Sequence, residues 1–416
     1  MDSKINVLVV PSDTHGVGKY RSVSPHNQLV KQYGEEFDVE INMQPDWANL
    51  ESLDKYDIIH FHKGLWRDMD VFWKALDYCK ERGITTIMDI DDNWEVGRQH
   101  PLYLSNKAFK APEKIIANFK KVDFVTTTTS IFADRIKKYN QNVLVIPNAI
   151  NPDDEQYKPI KNKSDRIRFG FIMGSSHEKD MEQFMGVVNA VGRDILDKIQ
   201  IVLCGFDLKG TINMIDKDGK ITGQRDITPT ESVWFKYEMN VTDGYKIVSQ
   251  SYKDFLLQFK PNMQWPNVDN EPYRREWTKS VDEFAKHYRN VDVLLAPLDD
   301  NEFNVVKSEL KFAEAGFTHT ALICSNVGPY KLVGDSYFKK FGEINENGNC
   351  ILIDPTKKHK DWAKYIKKLV ENPSIITRLQ DNLSEFAHEG YDLTKWTDKR
   401  AEWYRSLAKK HIRKNS

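Results

Sequence analysis

Short apolar runs recur along the chain, each followed by a polar turn and then by residues with helical spacing. In the first part, Ile5–Pro11, Tyr56–His62, Ile84–Ile90, Val122–Thr129 and Val143–Pro147 read as strands. The rhythm restarts at Ile167–Met173 and continues through Gln200–Phe206, Val291–Pro297 and Thr320–Ser325. Trp73–Arg82 has helical spacing and stops at Gly83, a suitable residue for the left-handed position after a helix. Asp361–Glu371, Pro373–His388 and a last segment from about Leu393 show amphipathic helical spacing, and Tyr330–Asp354 reads as closing strands. Strands that alternate with helices predict an α/β fold with parallel sheets, and the restart predicts two domains. We place the N-terminal domain at 1–155, a Pro-, Lys- and Asp-rich linker at 156–166, a second domain at 167–392, and a final helix at 393–416. The connection after Gln200–Phe206 is longer than usual. It reads as an insertion of about 207–259 with a hairpin at Met214–Thr222.

Chemistry concentrates in the turns. The segment Leu295–Gly316 runs strand, acidic and amide-rich loop, helix, and the next strand completes a βαβ unit. Ser308 is a candidate N-cap, with Lys307 beside the free amides and Glu314 further into the helix. Lysine and bare N–H groups suit a phosphate, and a carboxylate suits ribose hydroxyls. A solvated helix face with one intrahelical ion pair would use the same residues. The turn Ser12–Arg21 carries Gly16 and Gly18 but lacks both the third glycine of a dinucleotide fingerprint and the Ser or Thr of a P-loop. His60 and His62 end one strand, and Asp89 lies near the end of the next, with Asp91, Asp92 and Trp94 after it. An Asp-x-Asp cluster invites a divalent cation, and equally a helix cap. Gly174-Ser175-Ser176-His177, with Lys179 and Asp180, repeats the strand–glycine–helix pattern.

Length and charge narrow the classes. A chain of 416 residues suits two domains of about 150 to 200 residues each. Net charge is −1 and the basic residues are dispersed, which disfavours nucleic acid as a partner. Cys79, Cys204, Cys324 and Cys350 form neither close pairs nor metal-ligand spacing, so a reducing compartment, the cytoplasm, is expected. No apolar run approaches the roughly 20 residues of a membrane span, and the N-terminus lacks signal-peptide features.

Lys311-Phe-Ala-Glu314, with Ser325-Asn-Val-Gly328 downstream, resembles the nucleotide-sugar site of retaining, two-domain glycosyltransferases of the group 1 or family 4 kind, which have the GT-B fold. Gly16-Val-Gly18-Lys-Tyr20-Arg21-Ser-Val-Ser-Pro25, the Pro147-Asn148 strand ending, and Gly174-Ser-Ser-His177-x-x-Asp180 are similar to that family's motifs in the same order. Asn304-Val-Val-Lys307-Ser308 resembles its bacterial Asn-x-x-Lys-Ser variant, whereas Val306 stands where many members have a first glutamate. The resemblance implies two Rossmann-like domains facing a cleft, the last helix crossing back to the N-domain, and transfer of a sugar from a nucleoside diphosphate sugar without cofactor or metal. It implies catalytic roles for His62, Asn304 and Lys307. Donor contacts are implied from Gly16, Gly18, Arg21, Gly174, Ser175, His177, Lys179, Trp265, Ser308 and Glu314, and acceptor contacts from Asp91 and Asp92. Arg21 could instead cap a helix, His62 could be structural, and Trp265 could be core. The implied partners are a nucleotide-sugar donor and a glycan or lipid-linked acceptor. The short basic end Lys409–Lys414 could touch anionic lipid at the inner membrane face or simply be solvated. An epimerase or phosphorylase on the same fold, and a non-catalytic sugar-nucleotide module, are the rival readings.

Overall fold

The structure is a computed structural model that describes residues 4–414 apart from 99, 101, 216–220, 262 and 358. The chain divides into two compact units. One comprises Met1–Tyr157, Asn301–Ala313 and Ala387–Ser416, and the other Lys158–Asp300 and Glu314–Phe386. The predicted second domain at 167–392 is therefore cut twice. The loop bearing Asn304, Lys307 and Ser308 belongs with the first unit, although the strand before it belongs with the second.

In the first unit β1 (Ile5–Val10), β2 (Phe37–Ile41), β3 (Ile58–His62), β4 (Thr85–Ile90), β5 (Phe124–Thr127) and β6 (Val143–Val145) pair in parallel in the order β2-β1-β3-β4-β5-β6. Strand alternation sends Leu8, Val10, Ile59, Phe61 and Met88 to one face, under helices Met69–Arg82 and Ala111–Lys121. The other face carries Val7, Val9, Ile58 and Ile87, covered by Leu29, Ala401, Tyr404 and Leu407. The last three lie on the helix Leu393–Lys414, which thus packs on the first unit's sheet. The helix Met69–Arg82 begins at Asp68, whose carboxylate accepts from the Asp70 and Val71 amides, and ends at left-handed Gly83.

In the second unit β7 (Ile167–Ile172), β8 (Ile199–Phe206), β11 (Tyr273–Trp277), β12 (Val293–Ala296), β13 (Ala321–Ser325) and β14 (Ile351–Ile353) form a parallel sheet in the order β11-β8-β7-β12-β13-β14. Between β8 and β11 the expected hairpin is present as β9 (Thr211–Ile215) and β10 (Ile221–Asp226), with its turn outside the described residues. Helices Val233–Thr242 and Gln250–Leu256 then complete the crossover, so the insertion is a decorated βαβ connection. Tyr330–Asp354 contains one strand, β14. Its beginning is helical, Gly328–Val333, where Pro329 occupies the first turn.

Beneath the last helix lies a buried polar group. His26 bonds the Ser22 carbonyl at 2.6 Å and the Tyr404 hydroxyl at 2.9 Å, and its ring centroid stands 4.9 Å from that of His60. Burial and nearby Arg400 hold both imidazoles well below their ordinary value. They stay neutral when folded, whereas in the unfolded chain they titrate near about 6.5. Their contribution to stability is complete above that pH and declines below it, because the unfolded chain then binds more protons. We expect the urea midpoint to fall between about pH 7.5 and 5.5, and to fall less in His60→Leu. Equal acid sensitivity of the two proteins would contradict this origin.

Candidate functional site

Both sheets reverse their strand order at one place, between β1 and β3 in the first unit and between β7 and β12 in the second. Open α/β sheets bind ligands outside the carboxyl ends of the strands at such switch points.

In the first unit the turn after β1 is closed by Asp13, whose Oδ1 accepts from the His15 amide at 2.9 Å and the Gly18 amide at 3.0 Å. Gly18 is required, since a Cβ there would stand 1.7 Å from the Asp13 carbonyl oxygen. Gly16 has φ of +34° and open space where a Cβ would be. The helix that follows is widened to a π-type turn at Lys19–Val23, and Arg21 points inward from it. Here the donor role expected for Arg21 is corrected. Its guanidinium is 3% exposed and bidentate on Asp89, at 2.9 and 2.6 Å, and it also donates to the Ile146 carbonyl and Asn148 Oδ1. Its four bonds lie inside the protein and its charge is paired with Asp89.

His62, at the end of β3, is buried with both ring nitrogens engaged. Nδ1 is 2.7 Å from Ser12 Oγ and Nε2 is 3.0 Å from Asp91 Oδ1. Only the Ser12 side, which is exposed, can be exchanged for a sugar hydroxyl. Lys63 follows with φ of +58° and places its ammonium 3.1 Å from the same Asp91 oxygen. Burial alone would raise the Asp91 carboxyl, but Lys63, His62 and Arg21 together hold it well below the carboxylate range. Asp92 is pushed the other way by burial and by Asp91, against the pull of Lys63 and Lys307. The sequence motif thus resolves into a fixed anion that orients His62 and Lys63, and a half-buried neighbour with a raised affinity for protons. No group of three or more His, Cys, Asp or Glu able to hold a metal occurs among the described residues.

The segment Asn301–Ala313 is docked onto this unit by Val306, fully buried in its core, and by Glu302, whose carbonyl accepts from Asn93 and whose carboxylate pairs with Arg135. Asn304 is buried and Lys307 is half-buried, its ammonium 5.3 Å from the Phe303 ring. Ser308 is not the N-cap. The helix starts at Leu310, and the Ser308 hydroxyl accepts from Asn148 Nδ2 at 3.0 Å. Glu309, which the sequence did not single out, is buried and pushed up to about 7 by burial. Tyr391 donates to one of its oxygens at 3.2 Å, and the other has no partner.

In the second unit the turn after β7 exposes Gly174, Ser175 and Ser176, with nothing within 4 Å of a Cβ built on Gly174. The Tyr237 hydroxyl donates to the Ser175 carbonyl and accepts from the His177 amide, fixing the turn from beneath. His177 Nδ1 is 2.5 Å from Asp180 Oδ2, while Asp180 Oδ1 accepts from the Asp299 amide at 2.7 Å. Asp180 therefore joins the turns after β7 and β12 at the switch point. The helix beyond it has only four residues, Glu178–Met181, and Lys179 pairs with Glu182, so neither a long helix dipole nor a free Lys179 faces the turn. Glu314 is also corrected. It is 1% exposed and accepts from the Tyr288 hydroxyl at 2.9 Å, so it is braced inside the unit rather than displayed to a ribose. Trp265 packs on Tyr252 and Phe255 and walls a cavity of about 300 Å³ against edge strand β11, with Trp277, Lys260 and Lys279 also lining it. Tyr237 and Tyr288 had no sequence signal, because each acts through a fold contact.

No protein-family model matches the chain, and no curated protein matches it. Solved structures do. Anabaena HepE, solved with UDP and glucose, aligns over 97% of this chain and 100% of its own with a TM-score of 0.61 at 10% identity. Sucrose-phosphate synthase from Thermosynechococcus elongatus aligns over 97% and 99% with a TM-score of 0.60 at 12% identity. A UDP-forming trehalose-phosphate synthase from Burkholderia vietnamiensis gives 97%, 97% and 0.57 at 11% identity. The chain has the GT-B fold. Its two parallel sheets are the two Rossmann-like units of that fold, as the resemblance implied.

Arg21 gives this GT-B chain a test of its first unit. Arg21→Leu leaves Asp89 charged and buried, and we expect a loss of about 3–5 kcal/mol of unfolding free energy in urea titration. A loss below about 1 kcal/mol, as for a surface pair, would show that the guanidinium is not buried as described.

Proposed function

We propose that the chain is a glycosyltransferase that moves a sugar from a nucleoside diphosphate sugar to an acceptor hydroxyl. The observation that carries this is the second unit's switch point, where Asp180 joins the Gly174–His177 turn to the Asp299 amide. Exposed small residues there let a diphosphate approach backbone amides, with His177 as the donor beside it. The cavity at Trp265 and Trp277 suits the nucleobase, which stacks on an indole, while Lys260 and Lys279 bring positive charge to its rim. In the first unit Lys307 is a half-buried cation, the kind of group that offsets charge accumulating on a phosphate. His62, oriented by Asp91, hydrogen-bonds the transferred sugar in place of the Ser12 hydroxyl. Asp92 faces the acceptor, and its raised proton affinity suits hydrogen bonding to a hydroxyl. Retention of configuration, a glycan or lipid-linked acceptor, and a place in bacterial polysaccharide or glycoconjugate assembly complete the proposal. The GT-B solved structures named above, one with UDP and glucose bound, support the donor class.

Burial of Val306 in the first unit's core favours a second reading. With no carboxylate presented at that position, the chain could bind a sugar nucleotide without turning it over. Labelled sugar nucleotides incubated with and without acceptor glycans separate the two, since transfer requires acceptor-dependent product. By calorimetry, His177→Ala and Lys307→Ala should each weaken nucleoside diphosphate binding about tenfold, the size of one charge-assisted hydrogen bond. Trp265→Ala should weaken the nucleoside diphosphate and leave inorganic diphosphate unchanged. Unaltered affinity in all three variants would overturn the donor assignment.

A further inference from the structure

Most of what holds the segment Asn301–Ala313 on the first unit is apolar or exposed: Val306 in the core, the exposed Glu302 carboxylate on Arg135, and Ser308 on Asn148. Glu309 is different. It is 6% exposed, one of its oxygens accepts from the Tyr391 hydroxyl at 3.2 Å, and the other is buried without a partner. Among the described residues no other carboxylate buries an unbonded oxygen. Tyr391 is itself fixed, because its carbonyl accepts from the Ile150 amide at 2.8 Å, just past β6.

An ionised carboxylate is held by water or by several donors, and a buried one that lacks them takes up a proton instead. Three groups favour the anion here. They are the amide of Glu309, the Tyr391 hydroxyl, and the Arg21 guanidinium on the π-type turn, which is already bidentate on Asp89. Burial and Glu309 hold the Tyr391 hydroxyl above its ordinary value, so it remains a neutral donor. Burial of Glu309 outweighs all three and pushes its carboxyl up to about 7 while the segment is docked. With the segment lifted away, the same carboxyl meets water and titrates near about 4.3. The docked form therefore keeps a proton that the lifted form gives to solvent.

We propose that Glu309 is a proton-operated latch, whose neutral carboxyl holds Asn301–Ala313 on the first unit and whose ionisation loosens it. The latch is complete below about pH 4.3 and weakens about tenfold per pH unit above that. It stops weakening above about 7, where the carboxyl is ionised in both forms. Lys307 stands two residues away, so the proton sets how firmly that cation is placed. This last consequence rests on the donor reading above, whereas the latch itself needs no sugar nucleotide.

The test is hydrogen–deuterium exchange of the full chain without ligand, corrected for the intrinsic pH dependence of exchange. The Val305 and Lys307 amides, which donate to the Asn301 and Asn304 carbonyls, report opening of the segment. Their opening is expected to rise about tenfold per pH unit between about pH 5 and 6.5 and to level off above about 7. In Glu309→Gln, which keeps the shape of the neutral acid, it should not change with pH. Tyr391→Phe removes a bond that favours the anion and should carry the rise to higher pH. Amides of β1 should not share the rise, because buried His26 and His60 weaken the whole unit toward acid. A flat wild-type profile, an equal slope in Glu309→Gln, or the same rise in β1 overturns the latch. None of these outcomes depends on whether the chain transfers sugar.

Discussion

The buried pair of Arg21 and Asp89 is the interaction on which the first unit's functional end depends. Asp89 lies on β4 and also accepts from the Thr126 hydroxyl of β5 at 2.5 Å, while Arg21 reaches the end of β6 at Ile146 and Asn148. Asn148 in turn donates to Ser308. One guanidinium thus connects the turn after β1 to three strand ends and, through one amide side chain, to the returning loop. Breaking such a pair costs more than making it returns, because either partner left alone is an unsolvated charge. Each strand end is therefore placed by the others.

From that brace the neighbouring chemistry follows. Asp91, two residues beyond Asp89, is aligned with His62 and Lys63, and the cost of burying its charge is offset by theirs. Lys63 adopts a left-handed backbone to reach it, a conformation of modest cost that the surrounding bonds sustain. The second unit reaches a comparable end by other means. Asp180 joins two turns with one carboxylate, and Tyr237 holds the glycine turn from below. Both arrangements fix backbone at a switch point and leave small or polar groups at the surface, where open α/β sheets bind ligands.

The chain path shows why one loop can serve the first unit though its strand serves the second. Val306 is fully buried in the first unit's hydrophobic core, and Glu302 and Ser308 pin either side of it. A glutamate at 306 would have to be buried there uncompensated, which its surroundings do not permit. An apolar residue at 306 thus suits the docking of this segment.

The sequence by itself determined most of the strands, the alternation that makes both sheets parallel and the positions of the glycine-bearing turns, because apolar period, glycine and capping residues are local signals that a chain carries within a few residues; it did not show the edge strands β2 and β11 or the helix Gly328–Val333. It also marked His62, Asp91, His177 and Lys307 as chemically interesting. It could not tell a displayed charge from a buried one. Arg21 and Glu314 read as ligand groups, and only the fold brought Asp89 and Tyr288 against them. It likewise could not assign Asn301–Ala313 to the first unit. Those outcomes depend on residues distant in the chain meeting in space, and the energy of a charge or an apolar surface is set by what surrounds it.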